Sequence, residues 1–186
     1  MIDIIPQRSS DGPAVEALLD LAFGPDRKQR PSYRLRDGIA PVAGLSFVAR
    51  DGGRLAATLR FWPVTVGGRV SALLLGPIAV HRAHRGRGIG GALIARGLAE
   101  AGVSGHRIVA AIGDRGFLGR FGFAPARDAG LAMPMPVDEA RFLALALAPG
   151  ALDGVAGVVG RRRARSLQRL DEALDEFEQA GLTPAA

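Results

Sequence analysis

The sequence predicts an α/β chain of the α+β kind, a mixed sheet with helices packed on its faces. Three observations carry this. Two glycine turns, Asp51-Gly52-Gly53 and Gly67-Gly68, separate β-rich segments and mark an antiparallel meander. One helical stretch, Gly90–Ala101, lies between two apolar strand-like runs, which is a single βαβ crossover rather than a doubly wound repeat. Hydrophobic residues make up 48% of 186 positions, enough for one domain with a substantial core.

Along the chain, Ile2, Ile4 and Ile5 before Pro6 form a short first strand, and Asp11 is placed to cap a helix with Val15, Leu18, Leu19 and Ala22 on one stripe. Residues 24–45 are rich in Gly, Pro and charge and read as a mobile connection, with a helical turn around Ser32–Asp37. The meander follows as Leu45–Ala49, Leu55–Val66 and Ser71–Val80. The crossover helix presents Leu93, Ile94, Gly97 and Leu98 on one side, and Arg107–Ile112 is a continuous apolar run of the type buried on both faces. A short helix spans Asp114–Arg120, and strand-like pieces near Ala129–Met135 and Ala140–Ala146 complete the sheet.

Residues 1–158 are expected to form this domain and residues 159–186 an appended amphipathic helix and tail. Leu167, Leu170, Leu174 and Phe177 alternate at steps of three and four. The first half of that tail is basic and the second acidic, opposite to the helix dipole, so it needs partners. Docking on its own domain and pairing in a homodimer both remain open.

Composition removes several function classes. Cysteine is absent, which excludes disulfides, thiolate metal sites and a cysteine nucleophile, and no metal site is read. No signal peptide and no apolar run of membrane-spanning length is readable, so the expected location is cytoplasmic. The net charge of +6 raises the question of nucleic acid, but the arginines are scattered and no aromatics interleave with them. The positive balance suits an anionic small ligand instead.

The chemistry concentrates in Leu73–Val80, His81–Arg85 and Gly86-Arg87-Gly88-Ile89-Gly90-Gly91, which opens the crossover helix. Glycines at a helix N-terminus let the backbone approach an anion, and the unpaired N–H groups and dipole favour negative charge. Arg85 and Arg87 add two cations. The site therefore reads as a phosphate or pyrophosphate loop. A P-loop is excluded because no Gly-Lys-Ser/Thr ends the run. Gly86, Gly88 and Gly91 fit the dinucleotide pattern formally, which keeps an NAD(P)-dependent oxidoreductase as an alternative. Five residues intervene between strand and first glycine, however, whereas the dinucleotide motif turns directly off its strand.

The run Val80-x-x-x-x-Arg85-Gly86-x-Gly88-x-Gly90, with Gly113-Asp114 and Arg120-Phe121-Gly122-Phe123 behind it, resembles the acetyl-CoA signature of the GNAT acetyltransferase superfamily, in a bacterial branch. The similarity extends over about residues 45–125. It implies a fold with two central strands splayed apart and acetyl-CoA as acyl donor. Main-chain groups of Ile78, Ala79 and Val80 would pair with the pantetheine arm. The loop Arg85, Gly86, Arg87, Gly88, Ile89, Gly90 and Gly91 would hold the pyrophosphate, and Asp114 and Phe117 would contact the cofactor. Pro77 supports the splay independently, because a proline inside a central strand requires a bulge or a parting of strands.

The implied activity is N-acetyl transfer to an amine acceptor, on a small molecule or protein, by direct transfer in a ternary complex. The family's usual tyrosine acid is replaced by Leu118, and the chain's one tyrosine, Tyr33, lies far away in sequence. Asp114 is the candidate for a proton relay, with helix capping as its ordinary role. A non-catalytic acyl-CoA-binding or sensor module is the second reading. Tyr33, Arg34, Arg36, Arg60 and Trp62 are available for acceptor specificity.

Overall fold

The turn glycines and the crossover helix position nearly every element. The computed structural model describes residues 1–162. Its strands are β1 (Ile2–Pro6), β2 (Ser46–Asp51), β3 (Arg54–Val66), β4 (Val70–Val80), β5 (Ile108–Ile112), β6 (Ala124–Pro125), β7 (Leu131–Ala132), β8 (Phe142–Ala146) and β9 (Gly157–Arg161). Three helices join them: α1 (Gly12–Phe23), α2 (Ile89–Val103) and α3 (Arg115–Leu118). The sheet runs β1-β2-β3-β4-β5-β8-β6. Along this path β4 and β5 are the parallel pair, bridged by α2, and the other neighbours are antiparallel.

Strand alternation divides the core between the two faces of the sheet. Leu73, Leu75, Val109 and Ala111 face a cluster containing Leu93 and Ile94 of α2, while Ala72, Leu74, Ile108 and Ala110 pack with Val64, Phe142 and Val159. Burial on both faces explains the unbroken apolar runs of β4 and β5. Each fully buried Leu or Ile contributes roughly 1.5–3 kcal/mol relative to exposure. Helix α1 covers another part of the sheet through Val15, Leu18 and Leu19 against Val48 and Ala79.

Several expectations are corrected. Asp11 is the residue before α1, but its side chain does not cap that helix. Its buried carboxylate instead accepts from the Arg8 backbone N–H at 2.8 Å and pairs with Arg50. Residues 24–45 are anchored rather than loosely connected. They form 3-10 turns at Pro25–Gln29 and Pro31–Leu35, and Arg27, only 2% exposed, pairs with Glu16 and Asp20 and donates to the Tyr33 hydroxyl at 3.0 Å. The strand expected near Ala129–Met135 is confined to Leu131–Ala132, since Pro134 and Pro136 lack the amide a ladder needs.

Strand β9 had no counterpart in the sequence reading. It pairs with β7 and with the last residues of β3, Val64↔Arg161 to Val66↔Val159. It also runs across the expected division after residue 158. The expected helix through Leu167, Leu170, Leu174 and Phe177 lies outside the described residues. Among the described residues no helix is long and apolar enough to cross a membrane.

Candidate active site

The site begins where two neighbouring strands part. β4 pairs with β5 at Leu73↔Val109, Leu74↔Ala110 and Leu75↔Ala111, and no pair is formed beyond Leu75. On its other edge β4 stays with β3, as Leu59↔Ile78, Thr58↔Ala79 and Ala57↔Val80. Between these blocks the register shifts, so that Gly76 and Pro77 stand opposite Arg60 alone. This bulge accommodates the proline that a regular central strand would reject. Its peptide bond to Gly76 is cis.

A cavity of about 550 Å³ occupies the gap. Leu75, Gly76, Pro77, Ile78 and Val80 of β4 form one wall, and Ile112, Gly113, Asp114, Phe117 and Leu118 form the other. Gly90 of α2 closes one end, while Val137, Asp138 and Arg141 approach from the segment leading into β8. The last three residues escaped the sequence reading, since they reach the cavity through a long-range turn that leaves no local pattern.

The glycine loop lies beside this gap. His81 Nδ1 accepts the Ala83 N–H at 3.3 Å, fixing a 3-10 turn at Arg82–His84. Gly86 and Gly88 then adopt φ of 78° and 75°, values that side-chain-bearing residues avoid. Gly88 is the N-cap of α2 and offers no side-chain acceptor to the first turn. The bond from Ala92 N–H to the Gly88 carbonyl, 3.0 Å, is the first of the helix, leaving the amides of Ile89, Gly90 and Gly91 for an anion.

The two loop arginines differ. Arg85 Nε donates to the Val80 carbonyl at 3.4 Å, linking loop to strand. Arg87 instead donates to Asp51 Oδ2 at 3.0 Å and contacts His84 Nδ1 at 2.8 Å. The hydrogen bond from Arg87 lowers the Asp51 carboxyl below its ordinary range.

The structure therefore brings most expected site residues together. Ile78, Val80, Gly90, Asp114 and Phe117 line the cavity. Arg85, Gly86, Arg87, Gly88, Ile89 and Gly91 form the adjoining loop, with the Ile89 side chain buried in the core. Ala79 directs its side chain to the opposite cluster, under α1, and does not line the cavity. Asp114 Oδ1 accepts the Phe117 N–H at 2.6 Å and caps α3, so its ordinary role is present at the cavity wall. Leu118 is 3% exposed and packs close to Gly113.

A second cavity, about 440 Å³, shares Tyr33, Arg36 and Pro77 with the first. Glu16, Arg60 and Trp62 also line it. Burial pushes the Glu16 carboxyl up, but hydrogen bonds from Arg27 and Arg60 outweigh this and leave it lowered. The Arg36 guanidinium lies 4.8 Å from the Tyr33 ring centre and 6.0 Å from that of Trp62. Burial pushes Arg36 down to about 10.

A parted strand pair, a glycine loop capping the intervening helix and a cavity between them define an acyl-CoA-type transferase site. Comparison with known proteins agrees. Residues 3–126 match the family model described as an acetyltransferase (GNAT) domain. The uncharacterized N-acetyltransferase YhbS of Escherichia coli K12 is 32% identical over 150 residues, covering 80% of this chain and 89% of the relative. The crystal structure of YhbS from Escherichia coli in complex with CoA superposes with a TM-score of 0.76 at 31% identity, covering 86% of this chain and 89% of that one. A GNAT family acetyltransferase from Brucella melitensis, in complex with acetyl-CoA, gives a TM-score of 0.67 at 29% identity over 90% and 98% of the two chains. The chain belongs to the GNAT acetyltransferase family and is an acyltransferase. The oxidoreductase alternative finds no support in these relatives or in the largely antiparallel sheet.

Proposed function

We propose that this chain transfers the acetyl group of acetyl-CoA to an amine acceptor, with both substrates bound at once. The observation that carries the reading is the unpaired edge of β4 beyond Leu75, lying beside the free amides of the Gly88–Gly91 turn. Support also comes from relatives that bind CoA and acetyl-CoA. In this reading Arg85–Gly91 hold the pyrophosphate, and main-chain groups of Ile78, Ala79 and Val80 pair with the pantetheine arm. Asp114 and Phe117 border that arm.

Acetyl-CoA supplies an activated thioester; the chain's part is to align an amine with it and handle protons. The amine nitrogen attacks the carbonyl carbon, the carbon–sulfur bond breaks, and the amine loses a proton while the sulfur gains one. Proximity in a fixed geometry accounts for several kcal/mol of barrier reduction. A backbone N–H of β4 near Ile78 would stabilise charge on the carbonyl oxygen. Leu118 holds no proton. Tyr33, the single tyrosine of the chain, stands on the wall shared by both cavities, and we assign its hydroxyl to protonate the leaving sulfur.

Calorimetric titration with acetyl-CoA and with NAD(P), followed by CoA release against an amine panel, tests the function. Acetyl-CoA is expected to bind and turn over, and Gly88→Asp to abolish binding through negative charge in the anion turn. Equal acetyl-CoA affinity in that variant would refute the loop assignment. The buried Leu118 favours one second reading, a non-catalytic acyl-CoA-binding module. Tight binding with neither transfer nor thioester hydrolysis would establish it.

A further inference from the structure

Cations dominate the second cavity, and their pairing is uneven. Five cationic side chains line it against the carboxylates of Glu16 and Asp37. Glu16 is occupied by Arg27 and Arg60, with Lys28 4.0 Å away, and Asp37 meets Arg161 at 3.4 Å. Arg36 and the exposed Arg34 have no carboxylate partner among the described residues, and of the two Arg36 lines both cavities. Its terminal Nη2 is 3.6 Å from where a Cβ on Gly76 would stand, so the guanidinium borders the gap in β4. The buried Nε of Arg36 and the buried indole Nε1 of Trp62 both lack a hydrogen-bond partner among the described residues. Two unpaired donors buried side by side cost stability unless a ligand acceptor satisfies them.

We infer that the second cavity is an acceptor subsite for a small amine that itself carries a carboxylate, with Arg36 and the Trp62 indole N–H as its anion contacts. The inference rests on the proposed acetyl transfer. A guanidinium presents a planar fork matched to a carboxylate, and the indole N–H adds a third donor. The surrounding positive field also favours the neutral amine that acyl transfer requires, because it disfavours an ammonium ion. By the same physics polyamines and strongly basic peptides are repelled.

The test uses wild-type protein saturated with CoA, titrated calorimetrically with amino acids and with their decarboxylated amines, in parallel with acetyl-CoA turnover on the same pairs. At least one amino acid is expected to bind and react about tenfold or more better than its decarboxylated partner, in keeping with hydrogen bonds to a charged group. Arg36→Gln is expected to collapse that ratio towards one. Trp62→Phe, which removes the indole donor while keeping an aromatic ring, should reduce it by about threefold to tenfold. A ratio is read within each variant, so partial misfolding does not imitate the result. Absence of any carboxylate-dependent binding overturns the inference, as does a preference for uncharged or cationic amines, or a ratio that survives both substitutions. Failure of the wild type to bind acetyl-CoA would instead defeat the proposed function itself.

Discussion

A Cβ placed on Gly97 would stand 2.6 Å from Cε2 of Phe61, closer than carbon atoms approach. Leu59 Cδ2 would be 2.9 Å away. Helix α2 is therefore seated on β3 at a distance only glycine allows. Because α2 begins at the anion turn, this contact positions the loop relative to the gap in β4. Gly97→Ala should destabilise the fold, since overpacking of about 1–3 kcal/mol exceeds the roughly 1 kcal/mol gained in helix propensity. Weaker acetyl-CoA binding should accompany the loss. Urea unfolding and calorimetry measure both; a stabilised variant would refute the close seating.

Removing the Asp51 charge should tighten acetyl-CoA binding. Asp51 holds Arg87 at 3.0 Å and competes for it with any incoming phosphate. At low salt Asp51→Asn is expected to raise affinity by about twofold to fivefold, the scale of an exposed ion pair. The gain should shrink with added salt. Unchanged affinity at low ionic strength would mean that Arg87 takes no part in cofactor binding.

Tyr33→Phe keeps the ring that supports Arg36 and deletes the hydroxyl. A fall in kcat of about tenfold or more, with little change in acetyl-CoA affinity, is expected from loss of a general acid. The substitution also leaves Arg27 Nη1 without its 3.0 Å acceptor, so a drop of about 1 kcal/mol in stability is expected and is checked by thermal unfolding. Retention of full kcat across the pH range would transfer sulfur protonation to solvent.

Acid should destabilise the protein through Asp11 and Glu16. The Arg8 backbone N–H, against the opposing effect of burial, and the Arg50 charge hold the Asp11 carboxyl below its ordinary value. For Glu16, burial raises the pKa but the arginine bonds prevail. Both groups have a folded pKa below the unfolded one. Their stabilisation is full above about pH 4, near the unfolded carboxylate values, and is lost as pH falls through the lower folded values. Denaturant midpoints recorded from pH 7 to pH 3 should fall steeply for wild type and less steeply for Asp11→Asn. Parallel curves would mean that Asp11 contributes nothing to the acid sensitivity.

The features legible in the sequence are those encoded by neighbours. The hairpin at Asp51–Gly53, the α2 stripe and the Gly86–Gly91 turn depend on residues within one or two turns of one another, and they were placed to within a few positions. Pro77 announced the bulge because one residue type carries the constraint. What escaped depends on distant partners. Asp11 looked like a cap because its real partner, Arg50, is 39 residues away. The 24–45 segment looked loose because Glu16 and Asp20, which hold Arg27, belong to the preceding helix. Strand β9 was invisible because its five residues, Gly157–Arg161, include two glycines and show no strong alternation, and its partners β3 and β7 are distant in sequence.

That last strand orders events during synthesis. The glycine loop and the whole β4-α2-β5 unit lie between Val70 and Ile112, and their contacts with one another are complete once that stretch has left the ribosome. The contacts of β9 close much later. Arg161 must appear before it can donate to the Arg34 carbonyl at 2.6 Å, across 127 residues of chain, and before β9 can lie along Val64–Val66. A nascent chain of this protein would thus complete its β4-α2-β5 unit first, leaving Val64–Val66 and the Arg34 carbonyl open to solvent and to chaperones until β9 emerges.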